Sequence, residues 1–516
     1  MVTVHRLHEE HGVSRTSGLD VPVEIVLNRA RGAPTLTDQI AHQLRAGIEA
    51  GVLRADDRLP AIRALAMRLA VARTTVDTAY AQLIAEGYLQ TRAGAGTWVA
   101  PRLPETGTVG PSLPGENVSA TFRPSRALSA HARRLAAVST TLLPQKQVPL
   151  AIIAPSEEMS PGRAWTQIAN RFGRRPWRHA GYGEPQGYLP LREVVAEYAR
   201  KFRGVQCDAD RVVITSGSQQ GMTLCAQVLL DAGDTAWVED PCYTLMAATI
   251  AHRGVLTVPV PVDAEGLQVT AGMALAPQAK AAFVTPSHQF PLGMMMSMAR
   301  RAELLEWAAR TQSWIVEDDY DSELRYEGRP FPSLQGMDVT SESVIYLGTF
   351  SKMMFPSLRL GYAIVPRELV DAFAGARLLA DRHSSESQQA ILAEYIREGH
   401  YEIHVRRIRG LLQKRRQVLI RECERQLQAY GAVLPCDQGM HVVFRLRDDI
   451  DDVAVATPLR EGGLELRAIS PFYVRETTMR GFMLGFGGFS PEAIKAAITT
   501  IAEVLAQQVA RSPRGA

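Results

Sequence analysis

The stretch TFSKMMFPSLRLGY (residues 349–362) holds Lys352, one of six lysines in a 516-residue chain that carries 57 lysines and arginines. Arginine serves almost everywhere else, so a retained lysine needs a reason. A guanidinium stays protonated, whereas an ammonium can shed its proton and attack a carbonyl. The run before it, SVIYLGT (343–349), is apolar and β-branched and predicts a buried strand. Lys352 is then presented just past a strand's C-terminal end, where open α/β sheets place their ligands.

Comparable runs occur upstream at RVVITSG (211–217), TAWVEDP (235–241), AAFVTPS (281–287) and SWIVEDD (313–319), separated by longer helical patterns. That rhythm predicts an α/β fold with a mixed, mostly parallel sheet flanked by helices. From about residue 370 the chain becomes helix-rich, then returns to strand patterns at HVVFRL (441–446) and GFMLGF (481–486). This predicts a smaller C-terminal α+β subdomain. No internal repeat is visible.

A 46% hydrophobic and 22% charged composition is that of a globular protein, and the length exceeds one ordinary core. The net charge of +3 gives no bulk signal for nucleic acid, so any basic surface must be local. The five cysteines (207, 225, 242, 423, 436) include no CxxC pair, and neither a disulfide framework nor a metal site is expected. Residues 1–20 are charged without an apolar core, and no run is long enough to span a bilayer. A cytoplasmic location without membrane contact is the expectation.

The strand ends carry a set of groups that suits pyridoxal phosphate. That cofactor needs a lysine for a Schiff base, an acid at its pyridine nitrogen, donors for its phosphate and a flat group over its ring. Lys352 supplies the amine, and Asp318 or Asp319 closes a strand in position to keep the pyridine protonated. TSGSQQG (215–221) is a small-residue turn opening a helix, able to hold a dianion. Arg359 and Thr349 can add charge and a hydroxyl at the same phosphate, and Tyr243 follows a strand where it can stack on the ring. Each feature alone is common in α/β proteins; their order along the chain is what points to one site.

Residues 34–100 read differently. Ile40, Leu44 and Ile48 mark an amphipathic helix stopped by Gly51. DRLPAIRALAMRLAVARTTVDTAYAQLIAEGYLQ fits two helices with a break near Val71–Ala72, and Gly87 ends the second. Leu65 and Leu69 face Val76, Tyr80 and Leu83 or Ile84. YLQTR and GTWVA then flank AGAG as a wing. A small helical interaction module fits this pattern too. As a helix-turn-helix, it presents Arg73, Thr74, Thr75 and Thr78 to base edges. Arg58, Arg63 and Arg92 are then placed for phosphates, with Gly94 and Gly96 letting the wing backbone approach. The Pro-, Gly- and Ser-rich residues 101–147 read as a linker, 1–33 as a leader, and 148–510 as the body.

DRLPAIRALAMRLAVARTTVDTAYAQLIAEGYLQTRAGAGTWVA resembles the winged helix of GntR-type transcription regulators, with Ala61 where a small polar residue is usual. YGEPQGYLPLREVVAEYARKFRGV, TSGSQQG, VEDPCY, TPSHQFPLG, VEDDYDSELRY and YLGTFSKMMFPSLRLGY are similar to fold-type-I aminotransferases. Together they resemble the MocR/GabR-like subgroup, in which such a body follows the winged helix. The resemblance implies Lys352 as the Schiff-base lysine, Asp318 at the pyridine nitrogen, Tyr320 on the ring hydroxyl and Tyr243 stacked on the ring. It implies Ser218, Gln219, Thr349 and Arg359 at the phosphate. His288 stands in the loop where aminotransferases often carry an Asn-Pro pair and is a candidate for the ring hydroxyl. An amino-acid-like effector needs a carboxylate partner, with Arg467 or Arg480 as candidates. Tyr182 is a candidate to enter the site of a partner in a head-to-tail homodimer.

The expected function is a regulator that binds double-stranded promoter DNA and senses pyridoxal phosphate or its adduct with an amino compound. An aminotransferase carrying a DNA-binding head is the alternative, followed by a regulator whose body has lost the cofactor. The complete head favours the first over the second, and retention of Lys352, Asp318 and Arg359 favours it over the third.

Overall fold

The computed structural model describes residues 25–30, 32–92, 96–102, 127–141, 148–152, 156–174, 181–328, 331–338 and 342–511. The chain divides into two compact units, Met1–Ser125 and Arg126–Ala516.

The first unit is a three-helix head with a hairpin. Helix α1 (Leu36–Glu49) is capped by Thr35, whose hydroxyl accepts from the Asp38 amide, and buries Ile40, Ala41, Leu44 and Ile48. Helix α2 (Ile62–Arg68) and helix α3 (Arg73–Ala85) are separated by the expected break, with Ala70 at φ +50° turning the chain. Val76, Tyr80 and Leu83 are buried against Leu65, while Leu69 and Ile84 are only partly covered. The Tyr80 hydroxyl donates to the Pro60 carbonyl at 3.0 Å, tying α3 to the entry of α2. Strands β1 (Leu89–Arg92) and β2 (Gly96–Val99) pair antiparallel as the wing.

Part of the expected leader belongs to this unit. Ile25 and Leu27 pack on its core. The Gln43 and Gln39 side chains bond the backbone of Val26 and Asn28. Arg29 donates to the carbonyls of Leu69 and Ala70, satisfying groups left free where α2 ends.

The second unit is built on an eight-stranded sheet. Its strands are β3 (Val212–Thr215), β4 (Thr235–Asp240), β5 (Leu256–Asp263), β6 (Gly266–Leu267), β7 (Ala281–Val284), β8 (Trp314–Asp319), β9 (Val344–Thr349) and β10 (Gly361–Ile364). They lie in the order β3-β10-β9-β8-β7-β4-β5-β6. β5, β4, β7, β8 and β9 run parallel, whereas β10 is antiparallel to both its neighbours. Residues of β3, β7, β9 and β10 are all buried, because helices cover both faces, and their sequences are correspondingly apolar without alternation.

The opening stretch is therefore a strand, a turn and a second strand. β9 ends at Thr349, Lys352 sits in the turn, Arg359 takes a left-handed conformation (φ +52°), and β10 returns. Gly348 faces Tyr362 across the pair, and a Cβ there would fall 2.3 Å from the tyrosine ring.

A four-stranded antiparallel sheet follows, β11 (Gly431–Val433), β12 (His441–Leu446), β13 (Arg467–Ala468) and β14 (Gly481–Gly485), in the order β11-β12-β14-β13. The helix His400–Leu427 packs against this sheet and the C-terminal helix Pro491–Arg511. The α+β subdomain is thus present. Within the expected linker, Ala130–Thr141 is helical, and His131 packs on His252 with ring centroids 4.1 Å apart. Among the described residues no helix is long and apolar enough to cross a membrane.

Candidate functional sites

At the C-terminal ends of the parallel strands lies a cavity of about 280 Å3. Ser218, Gln219, Tyr243, Asp318, Tyr320, Thr349, Lys352, Arg359 and Arg467 all line it. Residues from five separated segments thus converge where the topology places a ligand.

One end of the cavity suits a phosphate. Helix Ser218–Leu229 begins here, with Gly217 at φ +87° leaving the first amides unobstructed. A Cβ on Gly217 would fall 3.1–3.2 Å from the Arg359 guanidinium, so a side chain there would crowd the cation as well as strain the backbone. Arg359 is held by its Nη2 bond to the Ser216 carbonyl (2.7 Å). The Thr349 hydroxyl donates to the Ser351 hydroxyl at 3.1 Å, which adds Ser351, also on the cavity wall, to the set of donors. A helix N-terminus, two hydroxyls and a guanidinium form a dianion site.

The middle suits a protonated ring nitrogen. Asp318 is buried and its Oδ1 has no hydrogen-bond partner. Burial, then the neighbouring Asp319 charge, raises its carboxyl to about 7, with Lys352 opposing. An unpaired buried carboxylate oxygen costs free energy that a bound N–H donor recovers. Asp319 is already occupied: its Oδ2 accepts from Arg203 (2.6 Å), Tyr346 (2.5 Å) and Ser322 (2.9 Å), and it does not line the cavity. The Asp319 Oδ1 is unpartnered as well, but of the two adjacent acids only Asp318 lines the cavity.

Lys352 is half-buried in the cavity wall, and desolvation lowers its ammonium to about 8 against the carboxylates of Asp321 and Asp318, while Arg467 lowers it further. Its Nζ lies 6.0 Å from the Tyr320 ring centroid. Attack on a carbonyl needs the neutral amine, which this environment makes available nearer neutrality than the usual lysine value. Covalent capture of pyridoxal phosphate by the cofactor-free protein should therefore quicken with rising pH and level off near pH 8. A rate still climbing at pH 10 would contradict the desolvation of this amine.

Tyr243 stands at the start of helix Thr244–His252 and meets Phe290 edge-on at 5.6 Å. Two of the expected residues lie outside this cavity. His288 does not line the cavity; it lies one layer behind, with Nδ1 3.0 Å from the Tyr320 oxygen. Arg480 is also outside, half-exposed and 4.0 Å from Asp451, whereas Arg467 reaches the cavity from β13. Tyr182 is exposed under the Arg382 guanidinium, 4.1 Å from its ring, and does not line the cavity of its own chain. Asp321 and His441 line the site without having been expected, because nothing in a strand-end pattern distinguishes them.

In the head, Arg73, Thr74 and Thr78 are exposed at the start of α3, and Thr75 is half-covered. The Thr78 hydroxyl donates back to the Thr74 carbonyl (2.9 Å). Arg58 and Arg63 are exposed, and Arg58 packs under Gly96 (φ +100°) at 5.8 Å from the Trp98 ring. Arg92 is already engaged, paired with Asp56 and lying 4.7 Å from Trp98. Such an exposed pair is weak enough to exchange for a phosphate. Gly94 lies outside the described residues.

A winged helix joined to a transferase fold with a phosphate cradle, a free buried carboxylate and a half-buried lysine defines a class: DNA-binding regulators with a pyridoxal-phosphate body. Residues 36–99 match the family of bacterial regulatory proteins, gntR family, and residues 162–501 match aminotransferase class I and II. The chain is 36% identical to a probable rhizopine catabolism regulatory protein, MocR, of Rhizobium meliloti, over 92% of this chain and 95% of that one. It is 30% identical to the pyridoxine biosynthesis transcriptional regulator PdxR of Corynebacterium glutamicum, over 94% and 99%. The body superposes with a TM-score of 0.67 on the α-aminoadipate aminotransferase LysN of Thermus thermophilus, complexed with a phosphopyridoxyl-leucine, at 25% identity over 74% of this chain and 98% of that one. The chain belongs to the MocR-like GntR transcription regulators, and pyridoxal phosphate is its cofactor.

Proposed function

We propose that this regulator senses pyridoxal phosphate together with an amino compound that reacts with it, and that occupancy of the body changes promoter affinity in the head. One observation carries the reading. In a DNA-binding chain, Lys352, the unpartnered Asp318 and the Arg359 cradle converge in a single cavity. When bound, the cofactor supplies an electron-withdrawing ring and a carbonyl for amines. Lys352 contributes the attacking amine, Asp318 holds a proton at the ring nitrogen, and Tyr320 bonds the ring oxygen. Ser218, Gln219, Thr349, Ser351 and Arg359 hold the phosphate, and Tyr243 covers the ring.

Arg467 is the carboxylate partner for an amino-acid-like effector. It is only partly exposed and shares the cavity wall with Lys352, and among the described residues it pairs with Glu465, 3.3 Å from Nε, a contact that does not use the terminal nitrogens. Titrating the yellow protein with candidate amino acids should shift its visible absorbance for the true effector. Arg467→Ala should weaken that response about 10- to 150-fold while leaving cofactor binding intact. An unaltered titration would remove Arg467 from this role.

The effector acts only through a difference in affinity between two conformations, and couplings of this kind are worth about 5- to 150-fold. A homodimer reading paired half-sites, with Tyr182 of one chain serving the other's site, fits the exposure of that tyrosine. The work would be done in the cytoplasm, where promoter DNA is found. Sustained transamination is the second reading, favoured by the complete lysine–aspartate pair; turnover assays with amino acids and keto acids separate it from sensing.

A further inference from the structure

We propose that His288, clamped between Asp321 and Cys436, is a positioning residue acting through Tyr320. Its Nδ1–H fixes the Tyr320 oxygen as an acceptor, so that the phenol proton turns toward the cofactor's ring oxygen. Its charge makes that phenol a stronger donor. The proposal rests on the reading that Tyr320 bonds the ring oxygen.

His288 is buried. Its Nδ1 lies 2.8 and 3.1 Å from the two Asp321 oxygens and 3.0 Å from the Tyr320 oxygen, and its Nε2 lies 3.3 Å from Cys436 Sγ. A bare Nδ1 lone pair could not face a carboxylate at that distance, so Nδ1 carries the proton. Tyr320, on the same nitrogen, can then only accept from it. Its own proton is free for the cavity, which Tyr320 lines.

The other nitrogen decides the charge. Burial opposes the His288 cation, but Asp321 and then Cys436 outweigh it and hold the imidazole well above its ordinary value. Burial raises the Cys436 thiol, and the His288 charge and hydrogen bond more than reverse this, leaving it below its usual range. Braced by Asp321, the His288 ring is held toward its cationic form, with Nε2 facing a sulfur that itself meets the Gln438 carbonyl at 3.3 Å.

Further titratable neighbours are Arg416, which donates to the Cys436 carbonyl, Tyr326 beside Asp321 and Cys436, and His441 on β12, its ring 5.2 Å from that of His288. The His441 Nε2 donates to the Pro291 carbonyl (3.1 Å), and burial, then the His288 charge, lowers it to about 3, so it stays neutral. Backbone closes on the clamp from two sides. A Cβ on Gly439 (φ +80°) would fall 2.1 Å from His288 Cε1, and one on Gly293 (φ +84°) 3.3 Å from Cys436 Sγ. The ring therefore has no room to turn away from Tyr320.

The test is a pH titration of the visible absorbance of the full-length protein loaded with pyridoxal phosphate, with thermal melting as the control for folding. Tyr320→Phe and His288→Phe should each raise the midpoint by about one pH unit, a tenfold change in proton affinity. The double variant should move no further than Tyr320→Phe alone, because His288 acts through that phenol. Cys436→Ala should raise the midpoint in the same direction as His288→Phe, because it removes one of the two partners that hold the imidazole in its cationic form. If His288→Phe does not fold, this last variant decides: a raised midpoint supports the clamp and an unchanged one overturns it. An unchanged midpoint in folded His288→Phe also overturns it, as does the same shift with and without Tyr320. An unchanged midpoint in Tyr320→Phe alone overturns instead the placement of Tyr320 on the ring oxygen.

Discussion

Lys352→Ala should give a protein that takes up pyridoxal phosphate but does not hold it covalently. After borohydride treatment and denaturation, the wild-type chain should carry a label on the peptide containing Lys352 and the variant none. No other lysine among the described residues lines the cavity, so no substitute amine is at hand. Cofactor affinity should fall at least about a hundredfold, or ~2.7 kcal/mol. Residual binding should persist through the cradle of Arg359 and the helix N-terminus at Gly217, which the substitution does not touch. Lys352→Arg should fail equally, because a guanidinium keeps its proton. Spectra and mass mapping on the three proteins check this, and labelling elsewhere would place the Schiff base on another residue.

Arg73→Ala should have its large effect at the other end of the chain. Arg73 opens α3 on an exposed surface, with no acidic residue in that helix's first turn to occupy it. A bidentate arginine–guanine contact is worth about 1–3 kcal/mol, so promoter affinity should fall about 5- to 150-fold at constant salt. The visible spectrum of the loaded body should be unchanged. Gel-shift or anisotropy measurements with the chain's own promoter region check it. Retained binding would show that another part of the head reads the bases.

Much of the candidate site could be read in the sequence because many of its residues follow a strand, and strand ends are visible as apolar runs closing on Gly, Asp, Ser or Lys. That signal places Lys352, Asp318 and the TSGSQQG turn. It could not separate Asp318 from Asp319, since the choice depends on which carboxylate Arg203, Tyr346 and Ser322 occupy from elsewhere. β10 was hidden as well: RLGYAIV follows the lysine without a turn signature, and only its pairing with β3 and β9 makes it a strand. His288 shows the limit most plainly. Sequence position puts it in the cofactor loop, but contacts with Asp321 and Cys436, 33 and 148 residues away, hold it behind Tyr320. In the head, regular helix spacing made the core legible, while Arg29, which ties the leader to α2, has no periodic neighbours to mark it.

We propose that one chain couples cofactor chemistry at Lys352 to promoter affinity at α3. The most direct measurement is the dissociation constant for promoter DNA at fixed salt, using cofactor-free protein, protein loaded with pyridoxal phosphate, and loaded protein with the amine that shifts its spectrum. DNA affinity should differ by about 5- to 150-fold between at least two of these states, and Lys352→Ala should abolish the difference. Identical DNA affinity in all three states, alongside sustained transaminase turnover, would contradict it.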